Sequence, residues 1–281
     1  MSKKSVLGYN VAILNQSGKV GNVRYFQRNG QTYLRTATNR TTQGSNPRSD
    51  GQMRARLRQN SLVALYSLVG KYLKHTFQDK EAHQNDYNAF MHANKGVGAY
   101  MTKQQKQDGH VVLLPVHLSS GTLPAITLQY DPDIHAYISN IILGSPDDQP
   151  TDISTIALLT QAVTTHNPQI RKDDSLTVIT AWQGTDPHYT DSQAISINLD
   201  ADNQTPTPTE LHAVNGYLAI TIPHHDSMAA IIHGNSKKQV SSSTASLSPE
   251  AMATLQYYTS AEQFQTARDS YGKELTGVIY R

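Results

Sequence analysis

Twelve histidines offer this chain metal ligation or acid–base chemistry. His75, His83 and His92 have seven and eight residues between them, which matches no standard ligand spacing. His224-His225-Asp226, with His233 not far along, is a tighter cluster. A mononuclear site there needs ligands converging from separate strands, and exposed loop histidines are the plainer reading. The acidic pairs Asp131/Asp133, Asp147/Asp148 and Asp173/Asp174 suggest calcium ligation or a carboxylate dyad, yet none fits the calcium-loop pattern. Neighbours on a strand point to opposite faces, so Asp173 and Asp174 are poorly placed to share a proton. Turn residues are the better reading. Ser241-Ser242-Ser243 lacks the Gly-x-Ser-x-Gly elbow of a serine nucleophile. Without cysteine there are no disulfides and no thiolate zinc sites. No glycine-rich phosphate loop is present. The expectation is a non-enzymatic protein with no metal and no cofactor.

One constellation remains. Arg24, Arg28 and Arg35 interleave with Tyr25, Phe26 and Tyr33 on two strand-like runs around Asn29-Gly30. Guanidinium groups neutralise phosphates, and aromatic rings stack on bases. The plainer reading of the aromatics is that Tyr25 and Tyr33 pack on the helix that follows. Arg48, Arg54, Arg56 and Arg58 continue the basic series. These seven arginines are the expected partner-binding residues. The partner is a protein, through self-association or a larger assembly, or alternatively a nucleic acid.

The elements that must position them read as follows. Asn-Gly between strand-like runs is a strong hairpin signal, because a type I′ turn needs positive φ at both central residues. Arg24, Arg28 and Arg35 then share an exposed face, with Val23 and Leu34 on the other. Residues 36–48 are a connector by turn chemistry, including Asn46-Pro47. A helix from Ser49 to Phe77 follows, capped by Ser49 or Asp50. Leu57, Leu65, Leu68, Tyr72 and Leu73 form its apolar stripe. A second helix is expected over 82–94. Strands are expected at 111–118, 125–130 and 136–143. A helix capped by Asp152 comes next, ended by His166-Asn167-Pro168. Further strands are expected at 176–182, 193–199, 217–222, 228–233 and 239–243, and a final helix at 249–268.

Composition and charge agree with a mainly β, α+β chain. Mean hydropathy is −0.50, and no apolar run is long enough to span a membrane. No secretory signal is visible at the N-terminus, so a cytoplasmic or virion-associated location is expected. The net charge of +2 conceals a split. Residues 1–110 hold 17 Lys and Arg against 5 Asp and Glu, and residues 111–281 hold 7 against 17. Such a dipole suits phosphate binding, and it equally suits docking of one copy's basic end on another's acidic end. Two domains are expected: 1–108, basic, and 109–281, acidic and β-rich. A carbohydrate-binding role for Trp182 and nearby tyrosines is a third reading, with no motif to carry it.

Several segments, in this order, resemble a family of uncharacterised proteins common in Bacteroidetes and their mobile elements. They are Ser17-Gly18-Lys19-Val20-Gly21-Asn22-Val23, residues 28–35, Thr41-Thr42-Gln43-Gly44-Ser45-Asn46-Pro47-Arg48, and Gln52 with Arg56 as Gln-x-x-x-Arg. Asp86-Tyr87-Asn88-Ala89-Phe90 precedes Asn94, residues 116–123 match a strand ending in Ser-x-Gly-x-Leu, and Trp182 and Asp191 follow. The resemblance implies an N-terminal β-hairpin and long helix, then an immunoglobulin-like β-sandwich with a C-terminal helix. It implies no activity and no catalytic residue. Asn-Pro-Arg, Gln-x-x-x-Arg and an aromatic-bearing helix also look like segments of phage virion proteins, which suggests a structural or assembly role.

Overall fold

A computed structural model describes residues 18–20, 23–28, 31–36, 50–78, 80, 84–108, 111–145, 151–183, 190–257 and 260–271. The 36–48 connector beyond Thr36 lies outside the described residues. The chain divides into two units, Met1–Pro47 with Tyr280–Arg281, and Arg48–Ile279. In the first, β1 (Gly18–Val20), β2 (Val23–Arg28) and β3 (Gln31–Thr36) form one antiparallel ribbon in that order.

The second unit opens with α1 (Asp50–Val69), followed by α2 (Asp86–Ala93), β4 (Ala99–Tyr100), α3 (Lys103–Gln107), β5 (His117–Ser119), β6 (Leu123–Ile126), β7 (Leu128–Asp131) and β8 (Ala136–Ile142). It continues through α4 (Ile156–His166), β9 (Ser175–Gln183), β10 (Thr190–Asn198), β11 (Leu211–Val214), β12 (Tyr217–Thr221), β13 (Ser227–Gly234), β14 (Ser241–Thr244) and β15 (Ser246–Leu247). It closes with α5 (Pro249–Ala253), β16 (Gln256–Tyr257) and α6 (Ala261–Tyr271). The fold is α+β with more strand than helix.

Two four-stranded sheets, β10-β9-β13-β15 and β11-β12-β8-β7, organise this unit. The alternation of side chains along β9 and β13 serves two cores. Leu176, Val178, Ala229 and Ile231 share one core with Tyr137, Ile141, Leu218 and Ile220 of the other sheet and with Leu159 and Val163 of α4. Ile179, Ala181, Met228, Ala230 and Ile232 point the opposite way, into a core with Leu62, Leu65, Val69, Leu73, Phe77 and Phe90. The helix of the expected basic domain and the sheet of the expected acidic domain therefore share one core. The boundary expected between 108 and 109 falls inside this unit. A third cluster joins Met53 and Leu57 to Tyr100, Phe264, Ala267 and Tyr271.

Several elements depart from expectation for local reasons. The long helix stops at Val69 and tightens into a 3₁₀ turn over Gly70–Tyr72. His75 then adopts φ 62°, which a right-handed helix cannot contain. A Cβ on Gly70 would lie 2.6 Å from the Tyr66 ring, so the glycine makes room for a ring that packs on Tyr87 and Phe90. Only His117–Ser119 of the expected 111–118 strand is a strand, although Val112, Leu113, Leu114 and Val116 are buried. Pro115 has no N–H to give a ladder. Asp152 does not cap α4. Its carboxylate accepts from Ser154 N in a turn, which lowers its pKa, and Thr155 is the N-cap. The expected 249–268 helix is broken by β16, which pairs with β4.

Two asparagines repeat one device. Asn94, the C-cap of α2, accepts from His117 N at 2.8 Å and donates to His117 O at 2.9 Å. Asn167, the C-cap of α4, does the same with Ile142 N at 3.1 Å and Ile142 O at 2.7 Å. Each amide imitates a strand partner and fastens a helix end to a strand.

Tyr137 is fully buried, and its hydroxyl donates to Ser227 O at 2.8 Å. Burial raises its phenol well above the ordinary range. The folded state thus holds the neutral form, and this stabilisation is complete below the unfolded tyrosine pKa of about 10. Above that pH, stability is expected to fall by up to ~1.4 kcal/mol per pH unit from this group. Urea unfolding of wild type and Tyr137→Phe between neutral and alkaline pH checks it. The difference between the two proteins should shrink as pH rises, and a pH-independent difference contradicts the linkage.

Candidate interaction surface

Register places the ribbon's residues on its two faces. Lys19 pairs with Arg24, Arg24 with Arg35, Phe26 with Tyr33 and Arg28 with Gln31. Residues directly opposite in an antiparallel pair share a face, and so do residues two apart on a strand. Positions 19, 24, 26, 28, 33 and 35 therefore lie on one face, which carries four cationic and two aromatic residues. Positions 20, 23, 25, 34 and 36 lie on the other, so Val23 and Leu34 fall together, opposite the arginine positions. Tyr25 and Tyr33 fall on opposite faces, because Tyr25 pairs with Leu34 and Tyr33 with Phe26. Tyr25 is half-buried and Tyr33 is 42% exposed. Asn29-Gly30 and Arg48 lie outside the described residues.

The helix arginines have different surroundings. Arg54, Arg56 and Arg58 are half-buried on α1. The Arg54 guanidinium sits 4.4 Å from the centroid of the Phe264 ring, a cation–π contact with α6. Arg58 donates to the Lys95 carbonyl just beyond α2, where unsatisfied helix carbonyls favour a cation. Arg268 approaches Asp50 at 3.9 Å on the surface. The seven expected partner-binding arginines are thus divided. Three belong to the ribbon, three to α1, and Arg48 lies outside the described residues; two of the α1 group bind within their own unit.

The histidines and acidic pairs also acquire addresses. His224 stacks on Trp182 at 5.0 Å between centroids and 2° between planes. His225 meets His135 edge to face at 5.3 Å. His233, 1% exposed, lies elsewhere, with Nε2 at 2.8 Å from the buried Asp174 carboxylate. The sequence cluster at 224–233 is therefore three separate environments. Asp131 accepts from Asp133 N within a turn, and exposed Asp173 lies in the turn before β9 at φ 71°. Among the described residues, no three His, Asp or Glu side chains come together where they could hold a metal ion, and no helix is long and apolar enough to cross a membrane. No family model matches this chain, and neither a curated protein nor a solved structure does so.

Proposed function

We propose that this is a non-enzymatic structural or assembly protein, a component of a phage virion or similar surface particle. Its basic ribbon docks on an acidic surface of a neighbouring copy, and an immunoglobulin-like β-sandwich is the displayed body. One observation carries the reading. The two units differ in charge: residues 1–47 contain seven Lys and Arg and no Asp or Glu, whereas residues 48–279 hold 16 Lys and Arg against 22 Asp and Glu. The two four-stranded antiparallel sheets with a shared core support the sandwich. Charge complementarity of this kind steers association and weakens with salt, because the Debye length falls from about 10 Å at 0.1 M to about 3 Å at 1 M.

Light scattering on the eluting protein at low and high salt tests it. An oligomer at low salt should dissociate at high salt, and Arg24→Glu with Arg35→Glu should abolish it at low salt. A monomer under all conditions, with no particle association, defeats the proposal. The shared face of Arg24, Phe26, Arg28, Tyr33 and Arg35 favours a second reading, in which the ribbon binds single-stranded nucleic acid. Titration with single-stranded DNA and RNA separates the two. Binding should weaken with a log–log salt slope of about −0.7 per phosphate contacted.

A further inference from the structure

At one end of the paired sheets, a cleft of about 360 Å³ is built around the chain's single tryptophan. Thr180 and Trp182 of β9 and Gln193 and Ile195 of β10 form one side, with Thr180 directly opposite Gln193 in the ladder. Glu210, His212 of β11 and the 221–224 segment after β12 form the other. Thr221 N donates to Glu210 O at 2.8 Å, which anchors the second wall. Among the described residues no tyrosine lines the cleft, and polar side chains from distant strands surround Trp182.

The groups have unmet hydrogen-bonding capacity of both kinds. The Trp182 indole N–H is buried and has no acceptor. Stacking by His224 holds the indole in place. The Glu210 carboxylate receives only long bonds, from Gln193 Nε2 at 3.4 Å and Thr209 Oγ1 at 3.5 Å. Ile195, Ile222 and Pro223 supply an apolar wall, and among the described residues no Lys or Arg lines the site.

The ligand class follows from what these groups lack. Phosphate or a carboxylate would accept from the indole but would meet the Glu210 charge, with no Lys or Arg among the described lining residues to offset it. An aliphatic amine would satisfy Glu210 but offer the indole no acceptor. A hydroxyl both donates and accepts, so a polyhydroxylated ring satisfies both groups and lays its C–H face on the apolar wall. The volume lies at the small end of ligand sites, about 300–1,000 Å³. We propose that the Trp182 cleft binds a neutral saccharide, at the scale of one sugar residue. The site is built wholly from the second unit and does not depend on how the ribbon is used.

Because Trp182 is the only tryptophan, its emission reads the site directly in the full chain. The probes are glucose, galactose, mannose, N-acetylglucosamine and their disaccharides. At least one should give a saturable change in tryptophan emission, matched by calorimetry. Glu210→Ala should raise its Kd by roughly tenfold or more, the loss of one hydrogen bond to a charged group. Gln193→Ala, on an exposed position of an edge strand, gives a second variant should Glu210→Ala fold poorly, and it should also weaken binding. No saturable response to any sugar overturns the proposal. So does a Kd unmoved in the folded variants, or a response to spermidine or inorganic phosphate in place of sugars.

Discussion

A fragment beginning at residue 109 is expected to be unfolded, whereas one spanning Arg48–Ile279 should unfold cooperatively with its secondary structure intact. Leu62, Leu65, Val69, Leu73, Phe77 and Phe90 are each no more than 3% exposed, and all precede residue 109. They cover the face of β9 and β13 that carries Ile179, Met228, Ala230 and Ile232. Full burial of such side chains contributes about 1.5–3 kcal/mol each, so their loss removes roughly 10–20 kcal/mol, against a typical total stability of about 5–15 kcal/mol. That sum is an upper bound, because unfolded chains already bury some apolar surface. Even so, the remaining sheet would expose one whole face. Among the described residues, the three apolar clusters of the second unit begin at Met53. Circular dichroism and urea titration of both fragments decide it. Cooperative unfolding of 109–281 would restore the boundary that charge suggested.

That boundary shows where the sequence misleads. Charge changes sign near residue 110, but charge is a surface property and does not report which apolar faces meet. Leu57, Leu65 and Leu73 of the expected stripe are buried, whereas Leu68 and Tyr72 are half-buried and the buried Leu62 and Val69 lie outside it; the hairpin on either side of Asn29-Gly30 was legible. The sheet that receives the stripe lies more than a hundred residues downstream, at Ile179 and Met228. The hairpin of β11 and β12 carries the same Asn-Gly signal. Asn215-Gly216 has φ 49° and 78°, the positive pair of a type I′ turn, with Val214 facing Tyr217. In the Trp182 cleft, the tryptophan stood out by type, but Gln193, Glu210 and His224 are brought to it by strand pairing alone. Polar anchors such as Asn94 and Asn167 are similarly silent, since each bonds to a backbone more than twenty residues away.

Asp174→Ala is expected to cost about 1.5–3 kcal/mol, the range for losing a hydrogen bond to a charged group. Asp174 is 6% exposed, and its carboxylate accepts from His233 Nε2 at 2.8 Å and from Arg171 N at 2.9 Å. Alanine leaves both donors without an acceptor. The imidazole cannot turn to water, because His233 sits on β13, buried on both faces, and its own N–H is held by Ser241 Oγ at 2.9 Å. Asp174→Asn keeps an acceptor oxygen and should cost less than the alanine change. In Asp174→Ala with His233→Leu, the orphaned imidazole is gone, so the double variant should be more stable than the sum of the single losses by about 1–3 kcal/mol. Urea unfolding with unchanged m-values measures all four proteins. Strict additivity, or a single-variant loss below about 0.5 kcal/mol, the scale of an ordinary surface change, would mean that this pair does not tie the start of β9 to the end of β13.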